Sequence, residues 1–534
     1  MTASTVTQYR PAQRPGRDGF AQLLRAEWTK FRTVRAWVIG LVIAVLVMIG
    51  VGLFGASAGG SSCQAVSGGP VRTGGACAPT FPAGPGGEPV TDSFYFVRQP
   101  LAGNGSITVR ISSLTGLLPP ANPGPVATDT RPGLVPWAKA GIIIKESTRP
   151  GSAYAAMMVT ADHGVRLQND FTGDTKGQPG AVTTTSPRWL RLTRSGDTVT
   201  GFDSADGTHW TQVGTVHLSG LATTVQAGLF ATSPEYSVIS QNFGGGGGGS
   251  ILPSQATAVF DHVGRSGTWP ASAWSGGYIG AAGGSGIGKY HQASGRFTVT
   301  GSGDIAPIVA GSGNSGDPGK TITDHLVGTF AGLIAVIVVA TLFITAEYRR
   351  DLIRTTLTAT PRRGRVLAAK AIVISSVTFV AGLVAAAAGV IIGAQVSHAR
   401  GSLVFPVSWL TEVRVIAGTA ALVAVAAVLA LALGTVLRRS AAAVTIVIVA
   451  IVLPYILGVA SILPVGASEW LLRITPAAAF AIQQAAVQYP QVNALYTPTS
   501  GYFPLAPWAG LAVLCGYAAL ALILATIMLR RRDV

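Results

Sequence analysis

The chain has 534 residues, 48% of them hydrophobic and only 11% charged, against about 25% charged in ordinary soluble domains. That balance excludes one ordinary soluble globule, and the abundance of Val, Ile and Leu excludes an unfolded chain. The 68 glycines, 31 prolines and formal net charge of +16 predict long apolar helices joined to a Gly-rich extended region, with the meaning of the charge set by where it lies.

In chain order, Phe20–Arg35 comes first. Its apolar residues at 20, 23, 24, 28, 31 and 34 have helical spacing, and Arg25, Glu27, Lys30, Arg32 and Arg35 take the other face. A basic amphipathic helix with Trp28 and Phe31 is expected to lie in the inner membrane interface. The plainer reading is an extension of the apolar run that follows. Six stretches without a charged residue are each long enough to cross a bilayer, which takes about 20 apolar residues: 36–55, 326–346, 371–396, 415–437, 442–463 and 508–529. Pro454 should kink the fifth.

Between the first and second stretches lie residues 59–323, with 16 basic and 14 acidic residues. By contrast, residues 1–35 and 347–370 each hold seven basic and two acidic ones, and Arg438, Arg439 and Arg530–Arg532 follow later spans. Basic flanks favour the cytoplasm. The alternation predicts a multi-pass plasma-membrane protein with both termini inside and 59–323 outside. A positive excess confined to membrane edges argues against a nucleic-acid partner.

Within the outside region, Cys63 and Cys77 are either a disulfide, which that compartment permits, or two free thiols. Cys515 reads as packing inside the sixth span. About nine short strands with turns between them follow, among them Asn104–Ile111, Ala140–Lys145, Trp189–Arg194 and Ala256–Phe260, and they suggest a β-sandwich. The six glycines Gly244–Gly249 read as a mobile loop. Trp189, Trp210 and His163 are candidate glycan contacts, although packing is the plainer role for both indoles. No nucleophile–base pair or metal-ligand cluster stands out, so neither an enzyme nor a metal site is expected.

The stretches Trp189–Trp210, Asp92–Val97 (DSFYFV) and Ala138–Ile144 (AKAGIII) resemble the concanavalin-A-like, laminin-G-like jelly-roll modules of secreted carbohydrate-active proteins. Phe297–Ile305 resembles a strand that precedes DSFYFV in those modules. Its late position here predicts a permuted sandwich in which it returns beside residues 92–98.

Residues Thr345–Lys370 (TAEYRRDLIRTTLTATPRRGRVLAAK) are similar to the first cytoplasmic loop of actinobacterial ABC-2 type permeases, the membrane subunits of ATP-binding-cassette exporters. Leu24–Arg35 resembles their N-terminal interfacial helix, and Trp470–Phe480 their segment before the last span. The resemblance covers 1–58 and 324–534. It implies an α-helical membrane protein of six transmembrane helices with an all-β sandwich (jelly-roll) inserted between the first and second. The parts are then 1–58, the insert 59–323, and 324–534 with a coupling loop at 347–370 and an outer segment at 464–506. It also implies a second permease protomer, and a separate cytoplasmic ATPase that binds the ATP and Mg, no cofactor being held by this chain. The ATPase contacts it implies are Glu347, Tyr348, Arg349, Arg354, Thr355, Pro361, Arg362 and Arg363, with Leu352 and Ile353 buried on the partner. Two imperfect phosphate-loop patterns, Gly283–Lys289 and Asn314–Thr321, read as loops: Tyr290 stands where the first needs Ser or Thr to hold magnesium, and the second lacks its leading Gly. The charge-free stretches hold no proton or sodium relay, so energy is expected to enter from outside the bilayer. The implied function is the permease subunit of an exporter of unknown substrate. The alternative is a membrane-anchored glycan-binding or surface-sensing protein.

Overall fold

A computed structural model describes residues 19–57, 81–120, 130–242, 245–280, 288–310, 319–349, 363–400, 402–460, 462–494 and 496–531. The helices are α1 (Phe20–Thr33), α2 (Arg35–Ser57), α3 (Thr329–Arg349), α4 (Arg363–Ala399), α5 (Trp409–Leu437), α6 (Ser440–Val459), α7 (Val465–Ile474) and α8 (Pro507–Arg531). Six of them, all but α1 and α7, are long and apolar enough to cross a membrane. One lies near the N-terminus, and the strands precede the other five. The chain breaks at Val34, which has extended dihedrals, so α1 is a separate helix and no extension of α2.

The bundle is built around α5. Two thirds of its most apolar window is buried, against 22% for α2 and for α8. Large apolar residues on the other helices face outward, among them Leu46 and Phe54 on α2, Val380 and Ile391 on α4, and Leu520 and Ile523 on α8. A helix apolar all round is what a bilayer selects. Small residues let backbones approach: a Cβ at Gly328, just before α3, would lie 2.0 Å from the Met48 carbonyl oxygen of α2. Cys515 sits on the outward face of α8, so it does not pack inside the sixth span as its sequence position suggests.

The described residues between 83 and 307 form a β-sandwich. One curled sheet runs in the order Thr211–His217, Thr198–Ser204, Arg188–Ser195, Phe94–Leu118, Thr224–Thr232, Lys139–Lys145, Tyr154–Thr160, Val165–Asn169 and Gly173–Lys176. Its spine is the 25-residue strand Phe94–Leu118, which turns through Gly103 at φ +64°, a conformation that costs glycine little. The first half of that strand pairs with Thr224–Thr232 and Ser275–Ile279, the second with Arg188–Ser195 and Gln255–Thr268. Ile107, Val109, Leu190, Leu192, Ala258 and Phe260 alternate into the core. Two lysines are also buried there, Lys139 on Asp304 and Lys145 on Asp92, each at 2.7 Å.

Two expectations change. Of the glycine run, Gly245–Gly249 is a strand and no loop: Gly245–Leu252 pairs with Tyr236–Asn242, with Ile239 opposite Gly249. Ladder hydrogen bonds need only backbone, which glycine supplies. The late segment does return to the start of the domain, where Ile305–Pro307 pairs with Val90–Asp92. Its earlier part, Arg296–Gly301, instead runs between Gln255–Thr268 and Lys289–Ala293.

Candidate functional site

One end of the helical bundle holds a charge cluster. Glu27 and Lys30 lie three residues apart on α1, so they share a face. Lys370 of α4 places its ammonium 2.6 Å from Glu27 Oε2 and 2.6 Å from Glu347 Oε1 of α3. Lys30 donates to the same two carboxylates at 3.0 and 3.1 Å. Two carboxylates and two ammoniums make the cluster neutral. The Glu27 carboxylate and Lys370 are 0% and 1% exposed, and the Phe343 ring lies 4.7 Å from the Lys370 ammonium. Burial pulls the Lys30 ammonium down, but Glu27 and Glu347 outweigh it and hold it above its ordinary value.

Removing one member of such a buried cluster strands the rest at a cost of about 3–5 kcal/mol. The cluster therefore binds α1, α3 and α4 as one unit. Residues 350–362 leave from α3 and rejoin at α4, and both junctions are pinned. Arg438 stacks 5.2 Å from the Tyr348 ring, and Arg363 donates to the Leu529 carbonyl of α8 at 2.7 Å. The ends of α3 and α4 that flank 350–362 are thus tied to α1 and α8.

The opposite end, beside the β-sandwich, has a polar knot. After α7, Pro476–Gln483 winds as a 3-10 helix whose eight residues are all buried. Phe480 stacks on Tyr455 of α6 at 3.9 Å. Gln483 donates to Thr329 at 3.1 Å and to Thr419 at 3.2 Å, and its carbonyl accepts from Thr323 at 2.6 Å. An apolar bundle leaves such an amide no other partner. The following segment is hydrogen-bonded to the β-sandwich, through Gln491 to the carbonyls of Phe171 and Thr172 and through Asn493 to that of Glu235.

The predicted site residues fall as follows. Glu347 is turned into the bundle. Tyr348 stacks under Arg438, and Arg363 anchors on α8. Arg349 ends α3. Leu352, Ile353, Arg354, Thr355, Pro361 and Arg362 lie outside the described residues, as do Cys63 and Cys77, Gly244 and most of both phosphate-loop lookalikes. Trp28 is half exposed beside an apolar groove between α1, α2 and α4. Phe31, expected at the membrane interface, is 3% exposed and packs on Phe343 and Trp37, because α1 presses that face onto α3. Glu27, expected on the polar face, is buried because Lys370 awaits it. Ionisable groups thus do enter the bundle end, as neutralised pairs. The segment Trp470–Phe480, likened to the stretch before the last span, divides: Trp470 is 62% exposed, while 476–483 is buried. His163 stacks on Trp137 at 4.0 Å, away from Trp189, which packs against His262, and from Trp210, which lies under Arg191.

Sequence reading missed Glu27, Lys30 and Lys370 as a unit. No one-dimensional signal marked the unit, since a lysine that flanks an apolar run ordinarily snorkels to the interface.

Residues 214–534 match the family described as "ABC-2 family transporter protein". No curated protein matches. Among solved structures, the chain is similar to the GH43 BlXynB protein from Bacillus licheniformis (17% identity over 31% of this chain and 28% of that one, TM-score 0.19). It is also similar to a functionally unknown protein from Saccharomyces cerevisiae (16%, 34% and 76%, TM-score 0.21) and to scytalido-glutamic peptidase with a transition state analog inhibitor (9%, 39% and 98%, TM-score 0.23). The chain thus spans little more than a quarter of the first of these. Likenesses this partial carry no information about its chemistry.

Proposed function

The chain belongs to the ABC-2 transporter family and is a multi-pass membrane permease component of an ABC transporter; from that premise we propose that it is an export permease driven through residues 347–370 by a separate cytoplasmic ATPase. The ATP and Mg are bound by that partner. Both termini are cytoplasmic and 59–323 is an extracytoplasmic jelly-roll inserted between the first and second membrane helices, which the basic flanks of the spans support. The parts are 1–58, 59–323 and 324–534. A second permease protomer pairs with this one, and substrate passes between them.

The observation that carries this reading is the cluster of Glu27, Lys30, Glu347 and Lys370, which ties both sides of the loop to three helices. Tyr348, Arg349, Leu352, Ile353, Arg354, Thr355, Pro361, Arg362 and Arg363 meet the ATPase, while Glu347 transmits from inside. In the test, the chain is co-expressed with its ATPase with and without residues 350–362. The expected result is loss of the copurified ATPase on deletion. A retained ATPase with unchanged stimulated turnover would overturn the reading.

A further inference from the structure

Strand alternation places Trp189 and Arg191 on the sandwich's outer face, opposite the core residues Leu190 and Leu192. Arginines and indoles stack in pairs across this face. The Arg191 guanidinium lies 3.9 Å from the Trp210 ring and that of Arg110 5.9 Å from Trp189. Arg265 lies 5.6 Å from Trp269 and 5.7 Å from Trp274. Beside them opens a groove of about 580 Å³, lined in part by Arg110, Asp261, His262, Arg265, Trp274 and Arg296.

The charge balance of the groove favours an anion. Its one carboxylate, Asp261, is already held by Arg110 at 2.6 and 2.9 Å and by His262 at 2.9 Å. Arg265 donates to the neutral amide of Gln99. Arg296 is exposed and has no carboxylate within ion-pair distance among the described residues. Two guanidiniums therefore face the groove without a counter-charge, and such groups match the bidentate geometry of carboxylate and phosphate. The lining is too polar for an apolar ligand, and the indoles add flat apolar faces at the positions of the cations.

We propose that this groove binds an acidic glycan, with a sugar ring against Trp274 and its carboxylate or phosphate groups on Arg265 and Arg296. The site stands apart from the permease reading and holds whether or not an ATPase accompanies the chain. The test uses the full-length protein in detergent, with polygalacturonate as the carboxylate probe and phosphomannan as the phosphate probe. Neutral dextran and polyglutamate are the controls. Binding of either acidic glycan supports the site, and the responding arm names the anion. Arg296→Glu should weaken that binding about tenfold or more, as loss of a charge-assisted contact does. Arg149→Glu, the same charge change on an exposed loop outside the groove, should leave it intact. Equal loss in both variants, binding of polyglutamate as strong as that of the glycans, or no binding of either glycan would overturn the proposal.

Discussion

Two regions of this molecule bury charge, by different designs. In the β-sandwich, Lys145 pairs with Asp92 alone, and both are locked by backbone: Lys145 donates to the Ser152 carbonyl, and the Gly151 amide donates to Asp92. All partners belong to one folding unit. At the end of the helical bundle away from the sandwich, Lys370 divides itself between carboxylates on two helices that are 343 and 23 residues away, and Lys30 repeats the division. The first arrangement can only hold. The second holds while three helices stay in register, so it ties helix position to electrostatic energy.

The largest expected effect is on the sandwich. Asp92→Ala should destabilise it by about 3–5 kcal/mol, whereas the double exchange Asp92→Leu with Lys145→Met should be close to neutral. Thermal unfolding of the full chain reads both, and a double variant as damaged as the single one breaks the comparison. Next, Lys370→Met should reduce ATP-driven transport about tenfold, within the range of ordinary coupling energies, while the ATPase still binds. If the triple exchange Glu27→Gln, Glu347→Gln, Lys370→Met restores stability but not transport, the link between helix position and the charge cluster is sharpened; restored transport would sink it. A smaller effect, about 1 kcal/mol, is expected for Gln483→Leu, which leaves the Thr329 and Thr419 hydroxyls without their donor; stability in detergent measures it.

The smallest effect belongs to an exposed pair that buries nothing. The hydrogen bond to Asp206, at 2.6 Å, raises His209 above the ordinary imidazole value of 6.5 and lowers Asp206. The sign follows from linkage. The contribution of His209 is fully present below its unfolded pKa and fades as pH rises through the raised folded value. That of Asp206 is present above its unfolded pKa and fades as pH falls through the depressed one. A proton titration of His209 should move back toward 6.5 in Asp206→Asn, and an unchanged midpoint would refute the pairing.

The helices longest in apolar residues were legible in the sequence because a bilayer-length run without charge is a one-dimensional signal. Their ends were less so. The helix α4 already includes Arg363, well before the charge-free stretch at 371, because Arg, Ala, Leu and Lys favour a helix whether or not a bilayer surrounds them. Strand alternation exposed the sandwich core at Ile107, Val109, Leu190 and Leu192, yet composition alone turned Gly245–Gly249 into a loop, since the hydrogen-bonding partner is not written in the run itself. Phe31 and Glu27 were assigned faces from helical spacing, which fixes neighbours on one helix but not which face a second helix will cover.

The sequence by itself determined what depends on local composition: six membrane-length helices, an extended domain between polar turns, and the side of each span on which positive charge gathers. The tertiary structure alone decided which charges meet. Attraction between groups hundreds of residues apart acts only after the backbone has brought them within about 3 Å in a medium that screens them little, and no spacing rule along the chain encodes that distance.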